Sequence, residues 1–328
     1  MKKIVVAPDS FKGSLTSAEV ADAVERGIKD VFPQCNVVKA GVADGGEGTV
    51  EAIVKAVGGA MYTASVTDPL GRPVKAAYGI VRSGGVKTAV MEMSAASGLP
   101  LLLPDELNPW ITSTYGTGEM ISDALNRGCR KFLVGIGGSA TNDAGTGMLS
   151  ALGVRFLDSR GQRLKGCGRD LESIVRIDMS SLMPAARESE FIVACDVNTP
   201  FCGPDGAARV FAPQKGADPQ TAEALDRGMR SFARVIAGQF QTDIVPLSGA
   251  GAAGGLGGAF KAFLNARLTA GIEMVLDAIA FDSLLEGADL VITGEGRIDA
   301  QTAAGKTAAG VLRHAARKGI PVIAIGGS

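Results

Sequence analysis

Apolar runs of about five residues, each closed by a glycine-bearing polar turn and followed by a helical pattern, recur at both ends of this chain. That alternation predicts an α/β fold. The opening shows it most clearly. Lys3–Ala7 reads as a strand, and Pro8–Gly13 as the turn after it. Thr16-Ser17-Ala18-Glu19 then spells a capping box, and Val20, Val24, Ile28 and Val31 recur on one helical face. Pro33 ends that helix, because its ring and missing N–H cannot continue one. Val37–Val42 is the second strand, Asp44–Thr49 the second turn, and Val50, Ile53, Val54 and Val57 the apolar stripe of the next helix.

The texture then changes. Residues 62–93 alternate apolar and polar around Asp68-Pro69-Leu70-Gly71-Arg72-Pro73, which predicts a hairpin. A strand over Lys131–Ile136 runs into Gly137–Asp143, and a second hairpin-like piece lies at 154–165. Phe191–Val197 is a strand carrying Asp196 at its end, with Asn198 just beyond. A long helix follows Pro219 with Leu225, Met229, Phe232 and Ile236 inward, and a glycine tract fills 249–258.

The end returns to the style of the opening. Asp289–Thr293 leads into Gly294–Asp299, a helix to Lys318, and a strand over Pro321–Ile325. The expected architecture is two α/β domains. One is a discontinuous open-sheet domain over 1–80 plus 285–328, of flavodoxin- or restriction-enzyme-like three-layer type. The other is an α/β domain inserted over 81–284. Gly326-Gly327-Ser328 reads as the start of a strand-to-loop turn, after which an α/β sheet ordinarily places another helix.

Composition removes several function classes. With 33 basic and 34 acidic residues the net charge is −1, so neither nucleic acid nor an anionic membrane is an expected partner. No run approaches the ~18 apolar residues of a membrane span, and the N-terminus is too briefly apolar for a signal peptide. The five cysteines are scattered with no C-x-x-C pair, which argues against zinc and a disulfide framework. Reduced thiols and a cytoplasmic location are expected. The single histidine, His314, lies in an Ala-rich helical pattern and is expected at the surface. Chemistry therefore falls to carboxylates, lysines and arginines.

Glycine is in excess, 45 of 328 residues, and clusters at the ends of apolar strands. Gly135-x-Gly137-x-x-Ala140 and Gly249-x-Gly251-x-x-Gly254 match the dinucleotide fingerprint, yet roughly one match per chain is expected by chance at this glycine content. The first has better context. It closes a strand, and Asp158 ends the next one, where it could hold a ribose. An NAD-dependent oxidoreductase using Gly135–Ala140 is thus the alternative. Against it, the run Ser139-Ala140-Thr141-Asn142-Asp143 is rich in hydroxyl and amide groups suited to phosphate oxygens. Ala300-x-x-x-x-Gly305-Lys306-Thr307 lacks the first glycine of a P-loop and is separated from its strand by Gly294–Asp299, so a P-loop NTPase is rejected.

Four polar clusters share one position, just past an apolar strand: Asp9-Ser10-x-Lys12, Asp44-Gly45-Gly46-Glu47, Asp196-x-Asn198 and Glu295-x-Arg297-x-Asp299. Open α/β sheets bind ligands at that edge. Carboxylates for Mg²⁺, a carboxylate to accept a hydroxyl proton and fixed cations are what phosphoryl transfer requires.

These residues make the chain resemble the bacterial glycerate kinase family of the type that forms 2-phosphoglycerate. The resemblance is carried by Ala7-Pro8-Asp9-Ser10-Phe11-Lys12, Ala43–Thr49, Glu92-Met93-Ser94-Ala95-Ala96-Ser97-Gly98 and Gly135–Asp143. It continues through Ala194-Cys195-Asp196-Val197, Pro213-Gln214-Lys215-Gly216-Ala217, Gly251–Gly255 and Ile292–Asp299, in family order along nearly the whole chain. It implies ATP with Mg²⁺, D-glycerate as acceptor, and an active site in the cleft between two α/β domains. Family members continue well beyond the final Ile-Gly-Gly-Ser, so the chain is expected to lack the family's C-terminal stretch.

On the matching positions, Arg297 and Lys12 are the candidates for the glycerate carboxylate, with Ser10 donating to a hydroxyl. Asp196, then Asp299, is the expected proton acceptor. Asp44, Glu47 and Glu295 are the candidate Mg²⁺ ligands. Gly137, Gly138, Ser139, Thr141 and Asn142 are expected to hold phosphate, with Lys215 or Lys306 adding charge. No motif separates 2- from 3-phosphoglycerate, and nothing in the sequence sets the oligomeric state.

Overall fold

The computed structural model describes residues 2–11, 13–46, 48–298 and 307–327, the side chain of Ser83 excepted. The chain forms two compact units, one of Met1–Ala60 with Ala270–Ser328 and one of Met61–Thr269.

The first unit is built on four parallel strands: β1 (Lys3–Pro8), β2 (Asn36–Lys39), β11 (Leu290–Glu295) and β12 (Val322–Gly326), in the order β12-β11-β1-β2. Counted within the unit this is 2-1-3-4, the order that begins a flavodoxin-like sheet, and its direction reverses between β1 and β11. Ile4 and Val6 project from β1 onto Ala21 and Ile28 of helix Ser17–Val31, with Leu290 and Ile292 beside them. The helix starts where its capping box dictates. Thr16 Oγ1 accepts from Glu19 N at 3.3 Å, and Glu19 Oε2 in turn accepts from Thr16 N at 2.8 Å. Val31, expected on the buried face, is exposed in the last turn beside an exposed Phe32.

The second unit carries six strands: β3 (Ala60–Thr67), β4 (Pro73–Ser83), β5 (Val86–Glu92), β6 (Lys131–Gly135), β9 (Glu190–Ala194) and β10 (Arg267–Thr269), ordered β10-β9-β6-β5-β4-β3. β5, β6, β9 and β10 are parallel, while β4 runs antiparallel to β5. Between β6 and β9 the chain makes a separate two-stranded sheet of β7 (Arg155–Leu157) and β8 (Arg176–Asp178). The core is aromatic: Phe132 and Phe191 stack at 4.6 Å between centroids, and Phe260 tilts against Phe191 at 5.8 Å. Helix Pro219–Phe240 buries Leu225, Met229, Phe232 and Ile236, as its periodicity predicts, after an Asp218 cap that accepts from Thr221 N at 2.7 Å.

The division falls at 60/61 and 269/270, whereas the expected boundaries were 80/81 and 284/285. β3 is the reason at the first boundary, because it extends the inserted sheet beyond β4. At the second, helix Gly271–Ala278 belongs to the first unit: Gly271 abuts the Asp44 backbone and Glu273 pairs with Arg313.

The glycine tract proves to be packing, not a nucleotide turn. In helix Ala252–Leu264 the backbone of Ala253, Gly254 and Gly255 is left-handed, with φ of 52°, 67° and 92°. A Cβ on Gly254 would collide with the carbonyl of Thr141 and the Cα of Asn142. Only glycine allows both that φ and that approach. Ala144 N donates to Gly254 O at 2.9 Å across the contact.

Candidate functional site

In the first unit the polar clusters gather where the strand order reverses. Pro8 pairs with Gly294, and Asp9 N donates to Gly294 O at 2.8 Å, so Asp9 and Glu295 leave the sheet on adjacent strands about 4.8 Å apart. Asp9 is locked in place. Its Oδ1 accepts from Ser10 N at 2.6 Å, and its Oδ2 accepts from Thr307 Oγ1 at 2.6 Å, at the start of helix Thr307–Arg317. Ser10 and Glu295 are half-buried and Arg297 is exposed. The Glu295 Oε1 atom is buried with no hydrogen-bond partner among the described residues. Asp44 follows β2, half-buried, its Oδ1 accepting from Gly46 N at 3.1 Å. Lys12, Glu47, Asp299 and Lys306 lie outside the described residues.

In the second unit three parallel strands deliver their ends to one edge. Glu92, Gly135 and Ala194 are in register across β5, β6 and β9. Next come Ser94, the Gly137–Gly138 turn and Asp196. Gly137 and Gly138 are exposed, Gly138 with a left-handed φ of 72° that glycine adopts without strain. Leu99 N donates to Gly138 O at 2.9 Å, tying the turn to the segment after β5. Asp196 is exposed just beyond β9, after Cys195, whose Sγ donates to Val197 O at 3.3 Å.

Thr141 and Asn142 depart from expectation. Both side chains are wholly buried, because the glycine tract packs over this part of the loop. Asn142 Nδ2 donates to Met229 Sδ at 3.3 Å. The segment therefore presents Gly137 and Gly138 to solvent, with Ser139 6% exposed behind them.

Asp143, absent from the expected set, is what holds the loop. It is fully buried and accepts from Thr114 N (2.7 Å), Thr114 Oγ1 (2.8 Å), Gly145 N (3.0 Å) and Gly147 N (3.2 Å). Burial pushes its pKa above the ordinary carboxylate range against the pull of those donors. Lys215 is also buried, with Nζ 2.7 Å from Ser139 Oγ and 2.7 Å from Thr141 O. Burial lowers its pKa to about 7, opposed by the Asp143 charge.

The oxidoreductase alternative loses its ribose ligand here. β7 pairs with β8 and is not part of the parallel sheet, and Asp158 Oδ1 accepts from Arg160 N and Gln162 N of its own turn.

The glycerate kinase family model matches residues 4–328. The chain belongs to the glycerate kinase family. It is 50% identical to a glycerate kinase of Haemophilus influenzae, covering 99% of this chain and 85% of that one. It is 47% identical to the glycerate 2-kinase of Escherichia coli, with the same coverage. A crystal structure from Salmonella typhimurium LT2, provisionally assigned as glycerate kinase 2, aligns with a TM-score of 0.94 at 47% identity, over 99% of this chain and 86% of that one. As a member of this family the chain is an ATP-dependent kinase with a small-molecule substrate. Among the described residues no helix is long and apolar enough to cross a membrane.

One expectation is reversed outside the kinase's strand edges. His314 is not a surface residue: it is 5% exposed, with Nδ1 2.7 Å from Asp282 and Nε2 3.0 Å from Glu273. An imidazole facing a carboxylate at each nitrogen satisfies both only when doubly protonated. Burial lowers its pKa, but the two carboxylates outweigh burial and the net shift is upward from 6.5. A raised folded-state pKa means stability present below pH 6.5 and lost as pH rises through the higher folded value. Urea unfolding is therefore expected to show lower stability at pH 9 than at pH 6, with the loss tracking the NMR titration of this single histidine. Equal loss in His314→Gln would assign it to other groups.

Proposed function

We propose that this kinase transfers the γ-phosphoryl group of ATP to the 2-hydroxyl of D-glycerate, giving 2-phosphoglycerate and ADP. The observation that carries the reading is the joint placement of Asp196 and the Gly137–Gly138 turn at the carboxyl edge of neighbouring parallel strands, both exposed. The 2-kinase name of the Escherichia coli relative supports the choice of hydroxyl.

In this reading the exposed backbone of Gly137 and Gly138 takes the ATP phosphates, as glycine turns at strand ends do. Asp196 accepts the 2-hydroxyl proton as the phosphoryl group arrives. Arg297, with Lys12, holds the glycerate carboxylate and Ser10 donates to a hydroxyl; a guanidinium suits a planar carboxylate. Asp299 is the second choice as base, and Lys306 adds charge for phosphate.

Mg²⁺ entering with ATP takes one or two carboxylates besides phosphate oxygens. The buried Oε1 of Glu295, without a hydrogen-bond partner among the described residues, is a hard oxygen donor of that kind, with Asp44 and Glu47 as further candidates. Bound there, the ion would neutralise charge developing on the phosphates.

The deciding experiment is a coupled ADP-release assay with D-glycerate, followed by analysis of the product. Formation of 3-phosphoglycerate would refute the assigned hydroxyl, and absence of ADP release the acceptor itself. Arg297→Ala is expected to lower kcat/KM for glycerate by about 10²–10³, the scale of losing one key electrostatic group. Near-wild-type steady-state turnover would remove Arg297 from that role.

A further inference from the structure

Lys215 is buried beneath the turn assigned above to the ATP phosphates, 1% exposed, and its two hydrogen-bond partners are uncharged. Those partners, the Ser139 hydroxyl and the Thr141 carbonyl, both lie within hydrogen-bond reach at 2.7 Å. A neutral amine has two N–H groups and an ammonium three. Two acceptors match the neutral amine, and the site keeps both bonds in either protonation state. Asp143 is the charged group that acts on Lys215 through space. The charged groups on neighbouring elements are engaged elsewhere: Arg209 pairs with Asp226, Glu106 with Arg72, and Asp218 caps its own helix.

A buried ammonium without a contacting carboxylate is costly, and an anion placed nearby across a low-dielectric layer offsets that cost. Before ATP binds, those two hydrogen bonds and, among the charged groups of the described residues, Asp143 oppose the cost. After ATP binds, a polyanion sits on the other side of Ser139. We infer that occupation of the Gly137–Gly138 turn by the ATP phosphates is coupled to uptake of a proton from solvent by Lys215. The inference rests on the placement of the phosphates proposed above. Lys215 is a positioning residue here: it touches the loop and reaches the phosphates only through it. The pKa of about 7 set by its burial puts the coupling in the neutral range.

The coupling has a signature that a merely structural lysine would lack. In wild-type protein, nucleotide affinity falls as pH rises above 7, approaching tenfold per pH unit for one linked proton. Isothermal calorimetry of ADP binding at pH 7.5, in buffers of low and high ionisation enthalpy, is expected to show uptake of up to about three quarters of a proton, since part of Lys215 is already charged there. Lys215→Met is expected to abolish that uptake and flatten the pH profile. Lys215→Arg, whose charge is permanent, should do the same while retaining the positive charge. The ionisation of ADP itself is common to all three proteins and cancels in the comparison.

Unchanged uptake and pH slope in whichever of these variants folds would overturn the coupling. Gly138→Val separates this from a misplaced phosphate site, since it keeps Lys215 and blocks the turn. Unchanged ADP affinity in Gly138→Val would overturn the placement. Lost affinity there, with wild-type proton uptake in Lys215→Met, would overturn the coupling alone.

Discussion

Asp196→Asn is expected to lower kcat by about 10²–10⁴, the usual contribution of a general base, while ATP binding survives. Asparagine matches aspartate in size and keeps one acceptor oxygen, but it cannot take a proton at neutral pH. The position favours such a clean separation. Asp196 is exposed one residue past Cys195, and the strand before it, β9, is pinned in register between β6 and β10. A side-chain change there leaves the sheet intact. Steady-state kinetics with D-glycerate would read the loss, and calorimetry with ATP the retained affinity. If ATP binding fails along with turnover, Asp196 serves the nucleotide or its metal and Asp299 becomes the leading base.

The second large effect concerns folding. Asp143→Ala is expected to abolish the cooperative native state. The substitution removes the acceptor for Thr114 N, Gly145 N and Gly147 N, all on buried residues. Each N–H left buried without a partner costs about 1–3 kcal/mol. Three of them approach the roughly 5–15 kcal/mol that holds a typical domain together. Urea unfolding followed by fluorescence of Trp110, the chain's single tryptophan, would report it. Asp143→Asn, which keeps one acceptor oxygen, should fold with reduced stability. A wild-type transition in Asp143→Ala would show that water replaces the carboxylate and that the loop does not depend on it.

The sequence by itself determined the features that local physics encodes. The Thr16–Glu19 capping box lies within four residues, and the stripe Leu225, Met229, Phe232, Ile236 follows the helical repeat. The polar clusters after β1, β9 and β11 were legible because an apolar run ending in glycine and charge marks a strand's carboxyl end whatever surrounds it. Together with the motifs, they were sufficient for the family and for the α/β class.

Tertiary structure decided what depends on partners far along the chain. The unit boundary moved because β3 joins the inserted sheet. His314 looked like a surface residue until helix packing set it between Asp282 and Glu273, 32 and 41 residues away. Gly254 reads as part of a nucleotide fingerprint, yet its use is to let one backbone lie against another at Thr141. Lys215 reads as a turn lysine adding charge for phosphate, and a partner 76 residues back makes it a buried one. Burial changes a group's solvation, and with it the protonation state and reactivity. It is a property of the whole packed unit, so no spacing within a short motif encodes it.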